Sequence, residues 1–345
     1  MENFLIIKIL FLTTLSSIIA VLWTPFLTHF LYKYKLGKSI RNSGSTPIFS
    51  KMHEHKANTP TMGGLIIWVT VLALALIFYY ASKIIDSDFL RQLNFLSRSQ
   101  TLLPLGCLVA AAIVGLFDDI LDIKSQGKGG MKMTYRFIIY TLIALVGALW
   151  FYYKLDWDVL HVPFFGNFAV GLWYIPIFIF IIVATAFSVN EIDGLDGLAG
   201  GSLLTAFGSY GVIAFAQGKY DLATFCAVII GSLIAFLWFN IKPARFYMGD
   251  TGAMSLGITL GIIAMLTNQA LLLPIIGFLF VVESVSVILQ VLSKKLRQGK
   301  KIFLSAPIHH HFEAQGWSES KIVMRFWLIS GITSVIGLII FLLDK

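Results

Sequence analysis

Glu191, Asp193 and Asp196 fall within six residues of the stretch "SVNEIDGLDG" (188–197), with Gly194 and Gly197 interleaved and no Lys or Arg nearby. Carboxylates gathered this way repel one another unless a cation or a proton compensates. Two further acidic stretches stand elsewhere: "GLFDDILD" carries Asp118, Asp119 and Asp122, and "KPARFYMGDTG" carries Asp250. On a helix Asp118 and Asp122, four apart, share a face, whereas adjacent Asp118 and Asp119 point about 100° apart. Asp250 precedes Thr251 and Gly252 and reads as a helix start, where free amides and a partial positive charge favour anions. Hard oxygen ligands of this kind suit Mg²⁺, which takes one or two protein carboxylates plus substrate phosphates. Taken singly, each acid is equally well a helix cap or a solvated helix end.

Three other features carry polar chemistry. "HEHKANTPTMGGL" (53–65) places Thr61 near a helix entry, with Gly63 and Gly64 permitting close backbone approach. "APIHHHFEAQGWSE" (306–319) holds three consecutive histidines, His309, His310 and His311. Histidine binds metals, donates to phosphate or carries protons near neutral pH, but neighbouring side chains diverge, so three adjacent rings do not share one ion. Glu283 is the one carboxylate well inside an apolar segment. A carboxylate there is costly, so a functional or paired role is expected, unless its helix bends or emerges early.

The elements that position these groups are apolar. Of 345 residues, 57% are hydrophobic and 13% charged, about half the charged fraction of an ordinary soluble domain. Ten runs are long enough to cross a bilayer: roughly 4–32, 62–81, 101–117, 137–153, 171–188, 199–217, 221–239, 252–267, 270–292 and 323–343. The first lacks a basic leader and a small-residue cleavage site and reads as a retained helix. Cys107 and Cys226 lie in apolar segments without metal-type spacing and read as packing residues. Lys8 and His29, near the ends of the first run, are expected to snorkel. The expected fold is therefore an all-α polytopic membrane protein, a single domain over 1–345.

Basic residues set the expected orientation. The loops after spans 1, 3, 5, 7 and 9 hold 18 Lys and Arg, and the alternate loops hold 5. Excess Lys and Arg mark the cytoplasmic side, so both termini are expected to be periplasmic. The acidic stretches and the histidines then share the cytoplasmic face. The net charge of +8 follows from these loops, and no basic domain with interleaved aromatics points to nucleic acid.

With these residues in view, the chain resembles the phospho-N-acetylmuramoyl-pentapeptide transferases, in the polyprenyl-phosphate sugar-1-phosphate transferase superfamily. "TPTMGG", "DD", "NEIDGLDGLAGG", "FNIKPARFYMGDTGAMSLG" and "HHHFEAQGWSE" occur in the family's order, and the His triplet with Phe-Glu and Gly-Trp is the most specific to this branch. The resemblance implies an active site at the cytoplasmic face of the bacterial inner membrane. There phospho-MurNAc-pentapeptide would pass from its UDP conjugate to undecaprenyl phosphate, giving lipid I and UMP in the presence of Mg²⁺. It implies that Asp250 ligates the metal, together with Asp118. Asp118 would also be the base that deprotonates the lipid phosphate, with Asp119 supporting charge or metal. A variant scheme makes a carboxylate the covalent nucleophile.

The same resemblance places Asn190, Asp193 and Asp196 in the family's acidic loop. Gly194, Leu195 and Asp196 would line a uridine pocket with Asn240 and Tyr247. Lys56 and Thr61 would stand on the nucleotide side, with His309, His310 and His311 near the diphosphate. Family members commonly form homodimers. Three positions depart from the family's pattern: Asp122 where Lys is usual, Tyr247 where Phe is common, and Arg136 where Lys is common, with Lys132 as its rival. The chief alternative classes are an anion transporter, which favours internal repeats and mid-membrane ionisable groups, and a related enzyme that transfers N-acetylglucosamine-1-phosphate.

Overall fold

The computed structural model describes residues 2–37, 59–125 and 130–344. Thirteen helices carry the chain among these residues: α1 (Glu2–Lys33), α2 (Leu65–Ile84), α3 (Asp88–Leu93), α4 (Leu102–Lys124), α5 (Met133–Lys154), α6 (Tyr174–Ile192), α7 (Leu198–Ala216), α8 (Tyr220–Asn240), α9 (Gly249–Leu266), α10 (Leu273–Ile276), α11 (Phe278–Leu296), α12 (Ile308–Ala314) and α13 (Glu319–Leu343). Nine of the described helical stretches are long and apolar enough to cross a membrane, and a bent pair makes up to ten. The ten apolar runs thus correspond to ten spans or near-spans.

Burial explains the arrangement. α9 is buried along its whole apolar window, whereas the windows of α1 and α13 are only 22% and 28% buried. A helix apolar on every side belongs at the centre of such a bundle, and those with an outward face meet lipid. α9 packs chiefly on α4 and α6, α8 on α1 and α7, and α5 on α6. Close approach to α9 relies on small residues: a Cβ at Gly257 would come within 2.9 Å of the Ala186 Cα on α6. Such contacts hold helices together where lipid offers no hydrophobic drive.

Three features differ from the expected all-α bundle. An antiparallel hairpin, β1 (Val159–Val162) and β2 (Gly166–Ala169), pairs Val159 with Ala169 through Val162 with Gly166. Its stretch, within loop 154–170, is too short to span and was expected only as a connection. The run 270–292 is not one helix, because α10 and α11 meet at Gly277 with an 81° bend. Last, α4 continues to Lys124, past the apolar run that ends near 117, so Asp118, Asp119 and Asp122 are helical and buried rather than a solvated end. The helix continues because its polar side finds partners inside the bundle.

Lys8 also departs from expectation. It is buried, donates to the Asn94 carbonyl at 3.1 Å and pairs with Asp221 at 3.6 Å, so it crosslinks α1 to the start of α8 instead of reaching for the interface. Cys107 and Cys226 are free and buried, as packing residues should be.

Candidate active site

Asp118, Asp119 and Asp250 come together at one end of α4, α5 and α9. Arg136, in the first turn of α5, is the hub. Its Nε lies 2.7 Å from Asp118 Oδ2, and its Nη1 and Nη2 donate to the two Asp250 oxygens at 3.1 and 2.9 Å. Two buried carboxylates would repel each other, and one fork-shaped guanidinium between them bonds to both and offsets one of their two charges. Asn190 completes the group, donating to Asp250 Oδ1 at 2.6 Å while its Oδ1 accepts from Arg136 at 3.1 Å. Lys132, the rival cation, is exposed at the start of α5. Arg136 therefore occupies the basic position.

Asp119 does a different job. Its Oδ1 accepts the Asp250 amide at 3.1 Å and the Thr61 hydroxyl at 3.2 Å, and its Oδ2 accepts the Thr251 amide at 3.0 Å. It thereby caps the N-terminus of α9 from a neighbouring helix, using the amides that a helix start leaves free. Gly249 makes this approach feasible: its φ is +73°, and a Cβ there would stand 2.6 Å from both Asp119 Oδ2 and Thr61 Oγ1. The segment carrying Thr61 is fixed by backbone pairing, with Gly63 N donating to Tyr247 O at 2.7 Å and Tyr247 N to Pro60 O at 2.8 Å. Lys56 lies outside the described residues.

A second group forms around the glycine-rich loop between α6 and α7. Asp196 N donates to Glu319 Oε1 at 2.8 Å, and Asp196 Oδ2 accepts the Ala244 amide at 3.2 Å. Asn240 bridges Gly197 N and the Phe246 carbonyl, at 2.9 and 2.8 Å. Glu319 pairs with Lys242 at 2.9 Å, and Trp327 donates to Gly197 O at 3.1 Å. Asp193, Gly194 and Leu195 occupy the turn between this group and Asn190.

The histidines divide. His309, fully buried, meets Glu283 at 3.0 Å, and the His309 and His310 ring centroids lie 4.1 Å apart. A Cβ on Gly194 would collide with the His309 ring and press on His310, so both rings reach the acidic loop only because that position is glycine. His310 is held by Glu313 at 2.7 Å. His311 faces its own loop, accepting from Leu304 N at 3.1 Å, and does not join them. Glu283 lies beyond the bend at Gly277 and pairs with His309, which gives a carboxylate in an apolar stretch its partner.

Asp118 and Asp250 thus converge on one cation, here a guanidinium. Among the described residues no trio of His, Cys, Asp or Glu side chains could hold a metal by protein ligands alone. Two carboxylates that share one guanidinium keep a net negative charge between them. That fits Mg²⁺, an ion that commonly takes one or two protein carboxylates and draws its remaining ligands from substrate phosphates and water. Reading the sequence overlooked Glu319 and Trp327 as supports. The signal for Glu319 was an acid placed at a helix start two residues after Trp317 of the histidine loop.

Residues 101–268 of this bundle match the pattern of glycosyl transferase family 4, which sets the chain among the glycosyl transferases. Residues 56–67 match signature 1 of the phospho-N-acetylmuramoyl-pentapeptide-transferases. Relatives bearing that name are 37% identical in Chloroflexus aggregans, over 96% of this chain and 89% of that protein, and 38% identical in Listeria monocytogenes, over 93% and 94%. The Geobacillus thermodenitrificans protein is 35% identical, over 94% of this chain and 95% of its own. The chain belongs to the phospho-N-acetylmuramoyl-pentapeptide-transferase family.

Proposed function

We propose that the chain transfers phospho-MurNAc-pentapeptide from its UDP conjugate to undecaprenyl phosphate, releasing UMP and forming lipid I for peptidoglycan synthesis. One observation carries the reading: Asp118, Asp250 and Asn190, from distant stretches of chain, meet around Arg136 at one end of the bundle, with Asp119 on the Asp250 amide beside them. Phosphoryl transfer between two anions is limited by repulsion and alignment, so positioned cations and donors supply most of the catalysis. Asp250 and Asp118 would hold Mg²⁺, which when bound neutralises the diphosphate.

Arg136 then serves as the cation that keeps these carboxylates together before substrate arrives. Asp118 would accept a proton from the lipid phosphate, while Asp119 holds the α9 amides in position. The loop of Asp193, Gly194, Leu195 and Asp196, with Asn240 and Tyr247, forms the nucleotide side. His309 and His310 stand by the diphosphate, with Glu283 fixing the His309 ring. The excess of basic residues in the neighbouring loops supports a cytoplasmic location for this end of the bundle.

The test supplies purified protein and undecaprenyl phosphate in Mg²⁺ with either UDP-MurNAc-pentapeptide or UDP-N-acetylglucosamine. UMP release is expected with the first alone. Release with only the second would replace the substrate assignment, and release with neither would refute the reaction.

A further inference from the structure

The helices that hold the acids carry a different surface at their opposite ends. Ser99 and Gln100 precede α4, Trp150 and Lys154 lie in the last turns of α5, and Leu266 ends α9. Two adjoining cavities open there, each of ≈ 260 Å³, sharing Ser99 and Leu155 as a common wall. Trp157, Gln100 and Lys219 line the first, and Arg98, Trp150 and Lys154 the second.

The polar groups of this groove are mostly donors without an anionic acceptor. Among the described residues Lys219 Nζ donates to neutral oxygens alone, Gln217 Oε1 at 3.0 Å and Leu266 O at 2.7 Å, and lies 5.5 Å from the Trp157 ring centroid. Burial pulls its ammonium down to about 8, so a nearby anion would favour its charged form. Gln100 spends its Oε1 on the Leu222 amide at 3.2 Å, which leaves its amide hydrogens free to donate. The Trp150 indole N–H is buried and reaches no acceptor among the described residues. Among the described residues neither Arg98 nor Lys154 pairs with a carboxylate.

The basic residues of this end make the contrast sharper. Its loops hold five Lys and Arg. Arg91 is matched by Asp86 and Asp88, and Lys83 lies 4.3 Å from the Tyr79 ring centroid. The other three, Arg98, Lys154 and Lys219, border the groove. Exposed Tyr153 and Trp173 stand at the same end of the bundle, and such aromatics mark the level of lipid headgroups. Basic pockets between spanning helices are suited to anionic headgroups.

We propose that the groove bounded by Arg98, Trp150, Lys154, Trp157 and Lys219 binds the phosphate headgroup of an anionic lipid, at the membrane face opposite the acid cluster. Cations and indole N–H groups hold the phosphate oxygens, and the indole faces cover the glycerol. The site is separate from the transferase centre and does not rest on the proposed reaction.

The experiment uses the full chain in neutral detergent and reads intrinsic tryptophan fluorescence, since Trp150 and Trp157 line the groove. The probes are dihexanoylphosphatidylglycerol, dihexanoylphosphatidylcholine and inorganic phosphate. Saturable binding of the phosphatidylglycerol is expected, at least ~10-fold tighter than either other probe. The combined Arg98→Gln, Lys154→Gln and Lys219→Gln variant should weaken it by ~10-fold or more with an unchanged melting temperature. Should that variant melt early, Arg98→Gln and Lys154→Gln are titrated singly, since both side chains are exposed, and each is expected to weaken binding ~3-fold or more. Equal binding by wild type and variants, or equal affinity for phosphatidylcholine, would overturn the proposal. Equal affinity for inorganic phosphate would overturn the lipid assignment in favour of a soluble anion.

Discussion

At one end of α4, α5 and α9 buried carboxylates share a buried guanidinium, and at the other Arg98, Lys154 and Lys219 reach no carboxylate among the described residues. α9 has 18 residues, so the two ends stand roughly 27 Å apart at the helical rise. At the first, Asp118 and Asp250 share one guanidinium, and Asp119 takes two backbone amides and a hydroxyl. At the second, Arg98, Lys154 and Lys219 surround open space. Burial makes each partner at the first end costly to remove, whereas solvent screens the cations at the second. Buried charges that bond to one another hold a site in shape, and cations without a carboxylate partner leave room for an anionic ligand.

The contrast can be broken most forcefully at Asp250. Asp250→Asn keeps the shape but removes the charge from Arg136, and turnover should fall ~1,000-fold with folding preserved. UMP release alongside a melting curve checks this, and near-normal turnover would remove Asp250 from the site. Arg136→Gln leaves Asp118 and Asp250 facing each other without a cation. It should cost about 3 kcal/mol and make the melting temperature rise with Mg²⁺ more steeply than in wild type. A flat response to Mg²⁺ would argue against a shared cation site.

Glu283→Gln removes the charge beside His309 and should lower kcat ~10- to 100-fold while changing KM little. A loss confined to KM would make Glu283 a binding support instead. The smallest effect belongs to the hairpin end, where Asp344 grips His161 and the Phe164 amide. Burial lowers the His161 imidazole, but hydrogen bonds to Asp344 and Asn167 outweigh it and raise it above 6.5. The hydrogen bond from His161, then that from Phe164, holds Asp344 below 3.8. The His161 contribution is therefore complete below pH 6.5 and lost as pH rises through the higher folded value. That of Asp344 is present above pH 3.8 and lost as pH falls through the lower one. Melting from pH 5 to 9 should show a decline on the alkaline side that His161→Gln abolishes, and an unchanged profile in that variant would show that the clamp contributes nothing.

The apolar runs made the spans legible, because a chain facing hydrocarbon cannot hide its composition. Helix ends were less so. For Asp118 and Asp122 a shared helix face and a solvated helix end were both open, because the apolar pattern stops near 117, and α4 runs on with its acids turned inward. The break at Gly277 was only one of two alternatives for Glu283, since nothing local says whether an apolar run stays straight. The hairpin at 159–169 was missed because its four-residue strands show no decisive alternation.

Residue types and loop charges alone determined that this chain is a multi-span membrane protein with acids, glycines and histidines in a family's order. Only the tertiary structure decided that Arg136, and not Lys132, joins Asp118 to Asp250, that His309 meets Glu283, and that His311 turns away. Composition and periodicity are properties of neighbouring residues and survive in the linear chain. Which distant side chains share a buried charge depends on how helices cross, and that is settled by packing.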